Sequence, residues 1–358
     1  MKKLAIVGTN GIPSKYGGFE TLVEYLVDYL STHYAITVFS SSKKKKVKLV
    51  DYKGCKLRYI HFRANGWQSI PYDIISIFKS YKDFDKILIL GASGCIILPF
   101  LKKYRNKFIF NFGGLDWDRS KWNLFTRRFL KYSESMGIKY SEYLISDNIG
   151  IQEYITKEYD RNSILISYGG DQVFKVSPNP SDLVKHPFLN RSYVFSVARI
   201  QPDNNIEMLL ETFTKELSYP IVFVGNWQSC SYGLKIKEKF SHYPNIILLD
   251  AIYDQRELNL LRSNCKIYLH GHSAGGTNPA LVEAMNLSLP IFAFDCIFNK
   301  YTTDFSAEYF SNSDELLRKI LTISDIDLNK IGEKMYEIAK REYKWKYIAA
   351  KYSEVFDK

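Results

Sequence analysis

The chain lacks any long uninterrupted apolar run, any pair of closely spaced cysteines and nearly all low-complexity sequence. Its longest apolar stretch, Ile87 to Leu101, is broken by Gly91, Ser93, Gly94 and Pro99. A membrane-spanning helix needs about 20 consecutive apolar residues, so this stretch is expected to stay out of a bilayer. The five cysteines, Cys55, Cys95, Cys230, Cys265 and Cys296, are far apart and odd in number. That excludes an evident disulfide framework and fits a reducing cytosol. His270 and His272 are spaced as two metal ligands would be, but no third His, Cys, Asp or Glu stands at a familiar interval. Two ligands do not hold zinc, so no metal is expected. MKKLAIVGTNGIP has only a short apolar run before Gly8 and Gly11. It reads as a buried first strand rather than a signal peptide.

What is present is positive charge and aromatic surface. The net charge is +11, and 27 of the 358 residues are tyrosine. Such a charge favours anionic partners: nucleotide, nucleic acid or an acidic membrane; a solubilising lysine-rich surface is the bland alternative. No nucleic-acid recognition motif accompanies it, so nucleic acid is not expected as a partner.

The length suits two domains, and the pattern shows two. Leu4–Thr9 and Ala35–Ser41 are apolar strand-like runs, separated by a helical stripe of Phe19, Leu22, Val23, Leu26, Val27 and Leu30. KLRYIHF, KILILGA and KFIFNFG follow, and EYLISDN (Glu142–Asn148) is expected to close the first sheet. A break at 171–190, GGDQVFKVSPNPSDLVKHPFLN with its flanks, reads as a linker. The rhythm restarts with Tyr193–Arg199, Pro220–Asn226, Asn245–Ala251, Cys265–Gly271 and Leu289–Asp295. The fold class is therefore α/β: two Rossmann-like, doubly wound domains, 1–170 and 191–342. Two such domains facing across a cleft bind ligands at the strand ends.

Three strand-end stretches carry candidate chemistry. GTNGIPSKYGGFE brings Gly8, Gly11, Gly17 and Gly18 to a helix N-terminus, where backbone N–H groups approach an anion, unless the loop is a plain flexible turn. ARIQPDNN places Arg199 at a strand end, either for bidentate phosphate contact or for a surface ion pair. HGHSAGGTNPALVEAM places Gly275, Gly276, Thr277 and Asn278 before a helix from about Pro279 to Asn286. Asn278 suits the cap and Pro279 the first turn. Glu283 lies one turn in, either accepting from a ribose or standing on an ordinary helix surface.

Together these landmarks resemble a GT-B glycosyltransferase of the retaining family 4 kind, over nearly the whole chain. GTNGIPSKYGGFETLVEYL, GGLDWDRSKW and GHSAGGTNPALVEAM look like the bacterial rhamnosyltransferase subgroup of capsule and O-antigen synthesis. The resemblance implies a nucleotide-sugar donor, with dTDP-L-rhamnose first; a UDP- or GDP-sugar, or a non-catalytic relative, remain open. It implies that Gly17 and Gly18 approach the diphosphate, that Arg199 neutralises it, and that Gly275, Gly276, Thr277 and Asn278 complete the cradle. Glu283 would bind the ribose and Ile252, within Ala251–Tyr253, would meet the base. Arg199, Asp116 and His272 are the candidate catalytic residues. The last helix, 343–358, would cross back onto the first domain. No cofactor is implied, since the nucleotide-sugar is a substrate.

Three positions depart from the family pattern. Gly275 stands where the Glu-x7-Glu motif has its first glutamate, and Asn204 where a lysine follows the arginine by five; both stay among the donor-binding candidates. Gly113-Gly114-Leu115-Asp116-Trp117 replaces Asp-Gly-Leu-Glu-Trp. The acceptor expected is a glycan on a polyprenyl diphosphate. DRSKWNLFTRRFLKYSES carries Trp122, Phe125 and Phe129 at i, i+3 and i+7 with Lys121, Arg127, Arg128 and Lys131 around them. Such a stripe either faces the core or lies on an anionic membrane. The location expected is cytoplasmic, peripheral at the inner face of the plasma membrane.

Overall fold

The computed structural model describes residues 1–13, 17–43, 48–118, 122–215 and 219–358. Ser14–Tyr16, Lys121 and the Lys44–Lys46 part of the lysine run lie outside the described residues. The chain forms two compact units, Met1–Tyr168 with Trp345–Lys358, and Gly169–Lys344.

In the first unit the strands are β1 (Lys3–Val7), β2 (Ala35–Ser41), β3 (Asp51–Tyr52), β4 (Cys55–Ile60), β5 (Lys86–Leu90), β6 (Phe108–Asn111), β7 (Tyr143–Ser146) and β8 (Ile164–Leu165). They lie in the order β3-β4-β2-β1-β5-β6-β7-β8, parallel except for β3 against β4. FIFN in β6 is buried at every position, the signature of a parallel strand covered on both faces. The helices are α1 (Gly18–Leu30), α2 (Ser69–Ser80), α3 (Leu124–Tyr140) and α4 (Ile149–Tyr159). α1 buries Leu22, Val23, Leu26, Val27 and Leu30, the stripe its sequence period dictates. The strand order reverses between β1 and β5, which leaves a crevice at their carboxyl ends. Gly8 sits there at φ 93, and a Cβ on it would overlap the Leu90 backbone.

The C-terminal helix, Trp345–Asp357, belongs to this unit. Trp345 stacks on Tyr25 with ring centroids 4.5 Å apart. Asn111 donates to the Tyr352 hydroxyl at 2.5 Å, and Lys2 to the Asp357 carbonyl at 2.9 Å.

The second unit has β9 (Val194–Val197), β10 (Ile221–Val224), β11 (Ile246–Leu249), β12 (Ile267–His270), β13 (Ile291–Phe294) and β14 (Glu308–Phe310), all parallel, in the order β11-β10-β9-β12-β13-β14. Its helices are α5 (Pro180–Lys185), α6 (Ile206–Thr212), α7 (Ser231–Phe240), α8 (Gln255–Ser263), α9 (Pro279–Asn286), α10 (Ile297–Thr302), α11 (Ser313–Thr322) and α12 (Asp325–Glu342). Val194, Leu209, Phe223, Trp227, Leu269 and Phe292 lie in one buried apolar cluster.

Three features differ from the sequence reading. β7 does not close the first sheet, because the two-residue β8 pairs beyond it. β3 and β14 lie outside the expected strands. The stretch 171–190 holds α5, whose start is a reciprocal cap between Asn179 and Asp182. Arg256 grips the same Asp182 carboxylate at 2.9 and 3.0 Å.

Asp73 of α2 is buried; one oxygen takes the Ser93 hydroxyl, and Oδ1 has no hydrogen-bond partner among the described residues. Burial raises its pKa to about 7. A carboxyl that holds its proton more tightly folded than unfolded stabilises the fold below the ordinary carboxylate range. That contribution is lost as pH rises towards 7. Denaturant unfolding at pH 5 and pH 8 is expected to show a loss on the order of a few kcal/mol, diminished in Asp73→Asn. The same pH dependence in both chains would show that Asp73 ionises freely in the fold.

Candidate active site

The second sheet reverses its order between β9 and β12, which pair directly (Ile267↔Val194, Tyr268↔Phe195). Their outgoing loops part at that point and open a crevice. Arg199 stands two residues past β9 and is exposed. The backbone then makes a short 3-10 turn, Pro202–Asn204, and Asn205 follows in the left-handed region at φ 49.

Asn204 is buried between the two loops. Its Nδ2 donates to the Arg199 carbonyl at 2.7 Å, and its Oδ1 lies 2.9 Å from His272 Nδ1. An amide oxygen only accepts, so the His272 proton sits on Nδ1 and Nε2 carries the lone pair in the neutral ring. Asn205 donates to the Gly271 carbonyl at 2.9 Å. The Ser273 amide and hydroxyl both donate to the Asp203 carbonyl, at 2.9 and 3.0 Å. A Cβ on Gly271 would overlap the Asn204 carbonyl. The loops after β9 and β12 are thus one block.

β12 ends at His270 and does not continue through His272; the two rings lie 6.1 Å apart. His270 is buried, its Nε2 has no hydrogen-bond partner among the described residues, and burial lowers its pKa to about 3. It is a neutral histidine at any ordinary pH. Among the described residues no group of three or more His, Cys, Asp or Glu could hold a metal.

Gly275 and Gly276 turn the chain with φ of 33 and 85. L side chains rarely adopt either value, which accounts for the glycine pair. Asn278 then caps α9, accepting from the Ala280 amide at 3.0 Å, with Pro279 in the first turn. The positive end of the α9 dipole therefore lies at the crevice. Thr277 is buried beside the cap.

Glu283, one turn into α9, is not an ordinary surface residue. Its Oε2 lies 2.6 Å from Nη1 of Arg262, whose side chain is only 1% exposed, and its Oε1 accepts from Gln172 at 2.6 Å. A carboxylate offers about four lone-pair sites, so two remain for a ligand hydroxyl. Neither Arg262 nor Gln172 was singled out from sequence. The available signal was Arg262 itself, placed in the buried run Asn259-Leu260-Leu261-Arg262 of α8.

Ile252 is half-buried on the loop after β11, two strands from β9. Gly17, Gly18 and Asp116 lie in the first unit. Gly17 precedes α1 at φ 125, and Gly18 opens the helix. Glu20 ties that helix to the loop after β1, accepting from the Asn10 amide at 2.8 Å and the Thr9 hydroxyl at 3.2 Å. Asp116 opens a 3-10 turn, Asp116–Asp118, after Gly113 and Gly114. A Cβ on Gly113 would overlap the Phe19 ring.

Lys131 is a correction. Read as a basic flank of an aromatic stripe, it instead places its ammonium 4.6 Å from the ring centres of both Trp117 and Tyr154. Beneath it Glu134 accepts from the Tyr154 and Tyr159 hydroxyls, each at 2.7 Å. Burial raises the Glu134 pKa to about 7.

Comparison with known proteins adds the fold. Residues 1–171 match a family described as a domain of unknown function (DUF1972). No curated protein matches the chain. Sucrose-phosphate synthase from Thermosynechococcus elongatus superposes with a TM-score of 0.83 at 13% identity, over 100% of this chain and 98% of that one. Anabaena HepE in complex with UDP gives 0.75 at 16% identity, over 100% of both chains. The α,α-trehalose 6-phosphate synthase from Burkholderia multivorans gives 0.73 at 10% identity, over 99% of this chain and 96% of that one. The fold is GT-B. Within this GT-B chain, Arg199, Asn204, His272 and Gly275–Asn278 share one crevice, with Glu283 a turn below.

The buried pair is testable by stability. Arg262→Met leaves the Glu283 carboxylate without its cation and is expected to cost about 3 kcal/mol. Arg262→Met with Glu283→Met removes both charges and should recover most of that loss in urea unfolding. A single variant as stable as the parent would show that the pair does not form.

Proposed function

We propose that the chain is a glycosyltransferase that moves a sugar from a nucleotide-sugar to a glycan acceptor in surface polysaccharide synthesis. The observation that carries this is the block formed by the loops after β9 and β12. It holds Arg199, the glycine turn and the capped start of α9 at one switch point of a GT-B fold. A departing nucleoside diphosphate gains negative charge as the bond to sugar C1 breaks. Arg199 and the α9 dipole supply fixed positive potential there, where preorganised electrostatics contributes most. Glu283, oriented beforehand by Arg262 and Gln172, accepts from the ribose. The leaving phosphate takes the acceptor hydroxyl's proton, with retention at C1 and no metal. Asp116 and His272 are the further catalytic candidates, Gly17 and Gly18 further donor contacts, and Ile252 the contact to the base.

The donor proposed is dTDP-L-rhamnose, on the motifs shared with the rhamnosyltransferase subgroup. HepE was solved with UDP and with UDP-glucose, so uridine donors are the nearest replacement. The acceptor proposed is a polyprenyl-diphosphate-linked glycan, and the location the cytoplasmic face of the plasma membrane. No helix among the described residues is long and apolar enough to cross a membrane.

Thermal unfolding with dTDP-rhamnose, dTDP, UDP, UDP-glucose and GDP-mannose tests the reading. A true donor at 100 times its Kd should add about 2.7 kcal/mol. Arg199→Ala should weaken that donor by about 10-fold or more, the value of a charge-assisted phosphate contact. A shift with UDP or GDP species alone replaces rhamnose. Binding without transfer or donor hydrolysis identifies a non-catalytic relative, and no shift with any nucleotide sinks the proposal.

A further inference from the structure

We propose that a groove in the first unit, between Trp67 and the start of α3, takes lipid chains of an anionic bilayer and docks this unit on the membrane. The inference deepens the lipid-linked acceptor reading and rests on it for its purpose, but its observations are independent.

The groove encloses about 280 Å³ and is walled by Trp67 and Ile70 on one side and Trp122, Phe125 and Phe129 on the other. Its rim is open to solvent: Phe125 is 82% exposed and Trp67 74%. The aromatic stripe is not what α3 buries. The helix packs inward through Leu130, Ser133, Glu134, Gly137 and Ile138. Large apolar side chains clustered at a surface mark a contact site, and tryptophan and phenylalanine suit the boundary between headgroups and chains.

Charge selects the partner. The first unit carries 30 Lys and Arg against 17 Asp and Glu, a net +13; the second carries 19 against 21, a net −2. The whole positive excess of the chain therefore lies on the unit with the groove. Of the two segments that line it, Gly66 to Ile70 and Trp122 to Leu130, neither holds an acidic residue and the second holds Arg127 and Arg128. Arg128 is exposed on α3, one turn from Leu124 and Phe125. An apolar groove beside an exposed arginine, on a unit of net positive charge, matches a surface with anionic headgroups above hydrocarbon.

The test uses the full chain in flotation with vesicles of phosphatidylcholine alone, and of phosphatidylcholine mixed with phosphatidylglycerol. Binding is expected to the mixed vesicles, reduced at least tenfold by Trp67→Ala with Phe125→Ala and reduced also by Arg128→Glu. Lipids brominated in their chains should quench tryptophan fluorescence of the parent and less in Trp67→Phe. The nucleotide-induced thermal shift, measured on every variant, reports folding and the donor reading separately. Vesicle binding equal in the parent and the aromatic double variant would overturn the groove, as would no vesicle binding alongside an intact nucleotide shift. Retention of a single-stranded oligonucleotide at physiological salt, lost in the same double variant, would overturn it in favour of nucleic acid.

Discussion

The crevice of the second unit depends on one buried amide, that of Asn204. Its nitrogen holds the Arg199 carbonyl and its oxygen faces His272, so two loops from adjacent strands are locked in one register. The glycosyltransferase family that the sequence resembles has lysine at this position. A lysine only donates, and could not accept from His272 Nδ1–H. Asparagine gives up a cation and gains a junction. The result is a site in which the backbone of Arg199 is fixed by a neighbouring side chain and the tautomer of His272 is set. Gly271 is part of the same constraint, since any Cβ there would push the loops apart.

The second constraint is electrostatic. A carboxylate and a guanidinium taken out of water pay a large desolvation penalty, offset only by close mutual contact and full hydrogen bonding. Arg262 and Glu283 lie 2.6 Å apart and Gln172 takes the other carboxylate oxygen, while Arg262 Nε and Nη1 have no aligned hydrogen bond among the described residues. Such a pair is a poor source of stability but a strong source of orientation. Glu283 is held before any ligand arrives, so ordering it adds little to the cost of binding.

Much of this architecture was readable in the sequence, for local reasons. β2 is Ala35–Ser41 as its apolar run states, and α9 runs Pro279–Asn286 because a capping asparagine and a first-turn proline define its start. β8 and β14 escaped because strands of two or three residues are too short to show a period. Arg262 and Glu283 are 21 positions apart on different helices, and only the folded chain brings them together. Lys131 was misplaced for a similar reason. Its cage is built by Trp117, Tyr154 and Tyr159 from other segments, which no helical stripe reveals. The stripe on α3 left core and surface equally open. Packing decides it, because Gly137 lets the helix press against Phe110 and Cys95 through its small-residue face and turns the aromatics elsewhere.

The distribution of charge then separates two roles that the net value merges. If the surplus of +11 served the donor diphosphate, it would lie on the unit that holds the crevice. That unit is net negative, and on the proposed reading its anion is met by one arginine, a helix dipole and oriented backbone. Such short-range groups act within a few ångströms and need no excess of lysine. A surplus of thirteen charges on the other unit acts differently, as a field that reaches about a Debye length of 8 Å at physiological salt and attracts extended anionic surfaces. A field of that kind is non-directional. On the proposed reading it brings the unit to a surface without orienting it, and the exposed rings of Trp67 and Phe125 at the groove supply the orientation.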